Sequence, residues 1–280
     1  LTPTIYAAGG NDTIALNLAV LKSYLYGGDG DDTITGNTGI DTLYGDAGND
    51  TLNGGANVDY IYGGADNDTL NGDAGADRLY GGDGGDTING GTENDYIYGE
   101  AGDDTLNGGL GIDMLYGGDG TDTLKGGAGG DMLDGGAGID TADYSASTAR
   151  VTIDLQNGTA ADGDAQGDTL AGIENVTGSN TAAAIRDTIY GNTGANIILG
   201  LGGNDILEGG GGADTIDGGV DWDTVRYTRS ASGVTVNLAT NVNTGGDAAG
   251  DLLSNIEAVT GSNHNDMITG GSANDSLSGG

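Results

Sequence analysis

The sequence predicts an all-β protein, a right-handed parallel β-roll (β-solenoid) of nonapeptide repeats with two sheets, 18 residues per coil and two inserted β-rich modules. Three observations predict this fold. The first is an unbroken run of nine-residue units, and the second is an 18-residue alternation within that run. The third is a pair of non-repeat segments that resemble each other. Repeats of this kind stack on their neighbours and so bury one continuous core.

The nine-residue units run from Gly27 to Asp143, thirteen in number and without a gap. They follow the pattern G-G-x-G-x-D-x-U-x, in which U is apolar, as in GGDGDDTIT and GGDGTDTLK, with other residues at some of the glycine positions. The sixth position is Asp in all thirteen units, and the apolar position weakens only at Ala142. Glycines permit the backbone conformations of a tight turn, and the last three positions alternate as a strand requires. Each unit is therefore predicted to be a turn followed by a short strand.

Two units are predicted to form one coil, because alternate units differ at their outward positions. The ninth position is Tyr in one set of units, except at Asp134, and mainly Thr or Asn in the other set, whose seventh position is always Thr. One outer face is thus predicted to be a tyrosine ladder and the other a Thr/Asn ladder. The tyrosines are Tyr26, Tyr44, Tyr62, Tyr80, Tyr98 and Tyr116, and the threonines are Thr33, Thr51, Thr69, Thr87, Thr105 and Thr123.

Two copies of a different module interrupt the repeats. Asp140 to Ser179 aligns without gaps onto Asp223 to Ser262, at an offset of 83 residues. We expect these copies to extend or cap the roll with wider coils, and small separate lobes are the alternative. The expected segments are degenerate repeats at 1–26, the main roll at 27–143, the first insert at 144–181, a second repeat block at 182–226, the second insert at 227–260 and a truncated third block at 261–280.

The composition is strongly acidic, with 43 acidic against 7 basic residues, a formal net charge of −36, 61 Gly and no Cys. A compact chain with this charge repels itself unless cations bind. Nucleic acids and anionic membrane surfaces require a basic surface, and no apolar run is long enough for a membrane span. Divalent cations are the natural counter-charge, since Asp carboxylates suit hard ions such as calcium. The Gly-rich, charged composition also predicts disorder for the metal-free chain.

The repeat resembles the calcium-binding nonapeptide of the RTX (repeats-in-toxin, hemolysin-type) family. Further units of the same pattern occupy Ala182 to Arg226 and Gly261 to Ser278. The resemblance implies that calcium ions, on the order of a dozen, lie between loops of successive coils and are held by sixth-position Asp carboxylates and turn carbonyls. The implied metal ligands are Asp32, Asp41, Asp50, Asp59, Asp68, Asp77, Asp86, Asp95, Asp104, Asp113, Asp122, Asp131, Asp140, Asp205, Asp214, Asp223, Asp266 and Asp275.

Some positions depart from the pattern or lie outside it. Glu93 and Glu100 stand where the repeat has Gly, and Glu tolerates positive φ less easily than Asn or Asp, so their neighbouring sites are expected to be the weakest. In the first insert, Asp162, Asp164 and Asp168, repeated in part as Asp247 and Asp251 of the second, are expected either to hold another ion or to be solvated surface groups.

Catalytic motifs are missing from this sequence. It contains one histidine, His264, no H-E-x-x-H and no G-x-S-x-G. We therefore expect no enzymatic activity from these residues alone. The chain has no initiator Met and stops where another unit would open, so we expect a fragment of a longer protein.

The family resemblance implies a secreted protein, extracellular or on the cell surface of a Gram-negative type bacterium, that leaves by type I secretion and folds on calcium outside. Three roles remain open: a structural, surface-layer or adhesin module; a noncatalytic C-terminal domain of a secreted protease, lipase or polysaccharide epimerase; or an ice- or carbohydrate-binding solenoid. Calcium ions are the expected partners, and cell-surface polysaccharide or self-assembly are further candidates.

Overall fold

The computed structural model describes the chain except for residue 1, residues 17–21, residue 183 and residue 273. Part of the degenerate N-terminal repeats predicted at 1–26 therefore lies outside the described residues. The described parts contain strands and two single-turn 3₁₀ helices, Gly163–Ala165 and Gly246–Ala248, and no α-helix. None of their helices has the length and apolar character needed to cross a membrane. The chain forms two compact units, Leu1–Asp140 and Thr141–Gly280.

In the first unit, short strands recur along the repeats. They are β1 (Thr4–Tyr6), β2 (Thr13–Ala15), β3 (Lys22–Asp29), β4 (Thr33–Asn37), β5 (Ile40–Ala47), β6 (Thr51–Ala56), β7 (Tyr60–Ala65), β8 (Thr69–Ala74), β9 (Arg78–Asp83), β10 (Thr87–Thr92), β11 (Tyr96–Ala101), β12 (Thr105–Leu110), β13 (Met114–Gly120), β14 (Thr123–Ala128) and β15 (Met132–Gly138). Odd-numbered strands neighbour one another in one sheet and even-numbered strands in the other. Two strands therefore make one coil, as the alternation between units predicts.

The register of these sheets follows the repeat. Ile88 of β10 lies beside Leu70 of β8 on one side and Leu106 of β12 on the other, each 18 residues away in parallel register. All three side chains are fully buried, as are the equivalent Ile and Leu residues from Leu25 to Leu133. The predicted parallel β-solenoid with two main sheets and an Ile/Leu core is confirmed.

Both outer ladders are present in the first unit. The tyrosine rings stack with centroids 4.5–4.9 Å apart and planes within 16° of parallel, and Tyr6 adds one ring to the predicted series by stacking on Tyr26. On the other face, the Asn71 amide donates to Asn53 Oδ1 at 2.9 Å, and the Asn89 amide donates to Asn71 Oδ1 at 3.0 Å. The strand spacing of a parallel sheet, about 4.8 Å, sets both ladders because every coil repeats the same side chain.

The second unit has shorter strands. They are β16 (Thr141–Asp143), β17 (Thr152–Asp154), β18 (Thr159–Ala161), β19 (Thr169–Ala171), β20 (Asn175–Thr177), β21 (Thr188–Tyr190), β22 (Ile197–Leu199), β23 (Ile206–Glu208), β24 (Thr215–Asp217), β25 (Thr224–Arg226), β26 (Thr235–Asn237), β27 (Leu252–Ser254), β28 (Ala258–Thr260), β29 (Met267–Thr269) and β30 (Ser276–Ser278). Most pairs are parallel, while β18 pairs antiparallel with β17 and β19.

The inserts are built into the sheets of this second unit. Thr152 of β17 pairs with Thr188 of β21, 36 residues on, which is twice the spacing within a repeat block. Thr215 of β24 pairs with Leu252 of β27, 37 residues on. Each insert therefore supplies strands in register with the repeats around it, although its chain follows a longer path between them.

Candidate metal sites

The sixth-position Asp side chains form hydrogen-bonded rows inside the turns. Asp77 is fully buried, and its Oδ1 accepts the backbone N–H of Asp59 at 2.7 Å, while its own N–H donates to Asp95 Oδ1 at 2.7 Å. The same use of Oδ1 recurs at Asp32, Asp50, Asp59, Asp68, Asp86, Asp95, Asp104, Asp113, Asp122, Asp131, Asp140, Asp205, Asp214 and Asp223. One oxygen of each carboxylate therefore ties its own coil to the preceding one.

The second carboxylate oxygen is the unusual feature. Oδ2 is buried and has no hydrogen-bond partner at Asp32, Asp50, Asp59, Asp68, Asp77, Asp86, Asp95, Asp104, Asp113, Asp122, Asp205, Asp214 and Asp223. An unsatisfied buried carboxylate oxygen is costly, because it has lost its water without gaining a donor. A cation beside each Oδ2 would remove that cost.

A glycine and a carbonyl lie next to these oxygens. A methyl group at Gly72 would lie 2.5 Å from Asp77 Oδ2 and 2.5 Å from the carbonyl oxygen of Gly90 in the next coil. In the second unit, a methyl group at Gly200 would lie 2.7 Å from Asp205 Oδ2 and 2.5 Å from a carbonyl of the next coil. The first-position glycine therefore lies close to a carboxylate oxygen and a carbonyl oxygen, the types of ligand that calcium prefers, and a side chain would not fit there.

Carboxylates alone do not assemble these sites. Within the described ranges, no three His, Cys, Asp or Glu side chains come close enough together to bind one metal ion. Backbone carbonyls of the turns must therefore complete any ligand set. An all-oxygen set of this kind suits calcium, whereas zinc and copper prefer nitrogen or sulfur ligands.

Three of the predicted ligands are arranged differently. Asp41 Oδ2 accepts two hydrogen bonds from Asn37, which replaces a turn glycine of the repeat. Asp266 Oδ1 accepts the hydroxyl of Ser262 at 2.7 Å, and Asp275 is bonded to a backbone N–H of its own turn. These carboxylates already have donors from the protein, so they are weaker candidates than the others.

Two glutamates occupy turn positions with positive φ, and the weakness expected of their neighbouring sites stays a prediction. Glu93 has φ 75° and Glu100 has φ 78°, both in the left-handed region that glycine favours. The Glu93 carboxylate accepts the N–H of Gly75, one coil earlier, at 3.1 Å. Both turns therefore keep the backbone conformation of the repeat, although positive φ is sterically unfavourable for glutamate.

Two tyrosines donate hydrogen bonds to carboxylates of the inserts. The sequence analysis did not predict either contact. The Tyr144 hydroxyl donates to Asp168 Oδ2 at 2.9 Å, and the Tyr227 hydroxyl donates to Asp251 Oδ2 at 2.9 Å. Both carboxylates are almost completely buried, so neither is a solvated surface group as one alternative had it. The signal in the sequence was the match of Tyr144 with Tyr227 at the same offset as Asp168 with Asp251.

Burial raises the pKa of the row carboxyls. The pKa rises to about 8 at Asp59 and Asp95, and to about 7 at Asp68, Asp77 and Asp104. Desolvation is the largest cause, and the backbone N–H bonded to Oδ1 opposes it. Without a cation, these groups are therefore partly protonated near neutral pH.

We expect the calcium concentration needed for folding not to rise as the pH falls from about 8 to 6. The folded-state pKa values lie above the ordinary 3.8, so without calcium the folded form gains stability from protonation, and this stability is lost as the pH rises through about 7 to 8. Calcium requires ionised carboxylates, and those of the unfolded chain are already ionised in this pH range, so folding with calcium releases few protons. Folding midpoints in calcium titrations at pH 6 and pH 8 measure this, and a higher midpoint at pH 6 would contradict it.

The fold and these sites define a calcium-binding β-roll. Models of the RTX calcium-binding nonapeptide repeat match residues 26–61, 54–88, 80–115, 108–142, 199–227 and 260–280, more than half of the chain. The chain therefore belongs to the RTX calcium-binding repeat family. None of the curated proteins compared with it is significantly similar in sequence.

Proposed function

We propose that this chain is a structural module of an extracellular bacterial protein that folds only when calcium fills its turns. The observation that carries this proposal is the row of buried Oδ2 atoms without donors. Each calcium ion that binds the folded but not the unfolded chain shifts the equilibrium towards folding. In this proposal, the carboxylates with an unsatisfied Oδ2 are the calcium ligands, together with turn carbonyls.

The charge of the chain supports the same proposal. A net charge of −36 opposes a compact state, and many buried carboxylates add to that cost. The chain would therefore stay unfolded at the low calcium concentration of the cytosol. Type I secretion transports unfolded chains, and the higher calcium concentration outside the cell would then drive folding. Export and folding are thereby coupled without a separate folding factor.

The outer faces favour a structural role over a binding role. Neighbouring tyrosine rings of the ladder cover each other's faces, since their planes are within 16° of parallel. Sugars stack on exposed ring faces, and inside the stack only ring edges and hydroxyls are available. The amides of Asn53, Asn71 and Asn89 are bonded to one another. Both ladders therefore stiffen the roll, as a stalk or a surface-layer segment requires.

The test is a calcium titration of chelator-treated protein followed by far-UV circular dichroism. We expect a cooperative change from disorder to β-structure with calcium and none with magnesium at the same concentration. Asp77→Ala removes a proposed ligand and is expected to raise the calcium midpoint at least about fivefold, since a buried row loses one member.

The matched control is Asp83→Ala, which removes the same charge from an exposed position of β9. Ala65 and Ala101 occupy the equivalent positions of the neighbouring strands, so Ala fits there. The control should keep the calcium midpoint of the unchanged protein. A β-rich spectrum in excess chelator that does not respond to calcium would refute the proposed function.

A further inference from the structure

In the second insert, a row carboxylate has both of its oxygens hydrogen-bonded. Asp251 belongs to the row, because its Oδ1 accepts the backbone N–H of Asp214 at 3.0 Å. Its Oδ2 is satisfied by the Tyr227 hydroxyl, a neutral donor, and Tyr227 is fully buried. The hydroxyl therefore stands where the other members of the row have an unsatisfied oxygen.

Asp251 also lacks the glycine that lies against the Oδ2 atom of the other row carboxylates. A methyl group at Gly246, five residues before Asp251, would meet Ser230 and Ser232 instead of the carboxylate. At Gly200, five residues before Asp205, the same group would meet the carboxylate and a carbonyl of the next coil. A calcium site draws oxygen ligands from two successive turns, whereas β27, which follows Asp251, is the last described strand of its sheet. The hydroxyl supplies the missing partner.

The first insert repeats this arrangement, and serines complete it at the other end of each copy. Tyr144 donates to Asp168 in the first copy. The Ser179 hydroxyl donates to both oxygens of Asp187, at 2.9 and 3.0 Å, where the second repeat block begins. Ser262, the equivalent of Ser179 at the 83-residue offset, donates to the first carboxylate of the third block. Each copy of the module, extended to the serine that follows it, thus has a hydroxyl bonded to a carboxylate near both of its ends.

Other contacts of the second unit join protein groups directly and need no calcium. Arg229 forms an ion pair with Asp154 at 3.0 Å, which joins the two inserts, and its guanidinium lies 3.8 Å from the centre of the Tyr190 ring. The buried Glu208 accepts the backbone N–H of Arg229 and the hydroxyl of Thr228. In the described part of this unit, only Asp205, Asp214 and Asp223 have an unsatisfied Oδ2.

We propose that the two inserts are calcium-independent caps, whose Tyr and Ser hydroxyls replace calcium at the ends of the carboxylate rows, so that the second unit stays folded at calcium concentrations too low for the first. This inference rests on the proposed calcium-dependent folding. In the first unit, nearly every coil contributes unsatisfied oxygens and no insert interrupts the rows. In the second, the row that contains Asp205 and Asp223 begins at Asp187, which Ser179 satisfies. The row that contains Asp214 ends at Asp251, which Tyr227 satisfies.

Hydrogen–deuterium exchange of the full chain across a series of buffered calcium concentrations tests this. Peptides from 144–260 are expected to become protected at a calcium concentration about tenfold lower than peptides from 27–140, since each satisfied carboxylate avoids the cost of an unpaired one. Tyr227→Phe should raise the midpoint of the 144–260 peptides about tenfold and leave that of the 27–140 peptides unchanged. Tyr144→Phe, in the other copy, is the second variant if Tyr227→Phe does not fold in saturating calcium.

The control is Tyr190→Phe, which removes a hydroxyl from the same unit but keeps the ring that faces Arg229. It should leave both midpoints unchanged. Equal midpoints for the two sets of peptides in the unchanged protein, or no response to Tyr227→Phe and Tyr144→Phe, would overturn the inference. Protection of both units in excess chelator is a different outcome, because it would overturn the proposed function and this inference with it.

Discussion

Ile88→Asp is expected to abolish folding of the coils around β10, even in saturating calcium. Ile88 is fully buried between Leu70 and Leu106, so the new carboxylate would have no donor and no water. Burying an unpaired charge costs several kcal/mol, and the lost apolar packing adds about 2–5 kcal/mol. A single coil cannot offset this, since each coil of a solenoid contacts only its neighbours.

Hydrogen exchange in saturating calcium measures this effect. Peptides that cover β8, β10 and β12 should lose protection in the Ile88→Asp protein, and coils several repeats away should keep it. Thr87→Asp is the matched control, because it adds the same charge one residue earlier, on the exposed outer face. Normal protection in Ile88→Asp, or equal damage in both proteins, would show that the narrow core does not hold the coils together.

Gly200→Ala is expected to remove the ion proposed at Asp205. The added methyl group would lie 2.7 Å from Asp205 Oδ2 and 2.5 Å from the Gly218 carbonyl oxygen, which are the oxygens proposed to bind the cation. These distances are shorter than a van der Waals contact between carbon and oxygen, so the carboxylate must move away. We expect calorimetry to show the loss of at least one bound calcium and a higher calcium midpoint for the second unit.

Gly211→Ala controls for the change from glycine to alanine. Gly211 lies in another turn of the same block, its φ also suits alanine, and the nearest atom to its added methyl group is 3.8 Å away. This variant should bind as much calcium as the unchanged protein. The same calcium stoichiometry in Gly200→Ala would mean that the first-position glycine does not adjoin a cation.

Much of the candidate site could be predicted from the sequence because the site repeats. The sixth-position Asp residues recur every nine residues, so their place inside each turn follows once the coil length is known. The individual oxygens could not be predicted. In Asp77, Oδ1 accepts the backbone N–H of Asp59, while Oδ2 has no donor. This difference depends on how the carboxylate is oriented against the preceding coil. Asp41 shows the same limit, because its bonds to Asn37 depend on the local path of one turn.

The sequence by itself determined the period, the two sheets, the Ile/Leu core and the two outer ladders. All of these follow from a local pattern that is copied from coil to coil, so that register and stacking repeat with it. Only the tertiary structure decided which carboxylates have a protein donor. Tyr227 reaches Asp251, and Tyr144 reaches Asp168, across 24 residues of insert that have no repeat. Such pairs depend on how a non-repetitive chain folds back on itself, and no periodic pattern encodes that path.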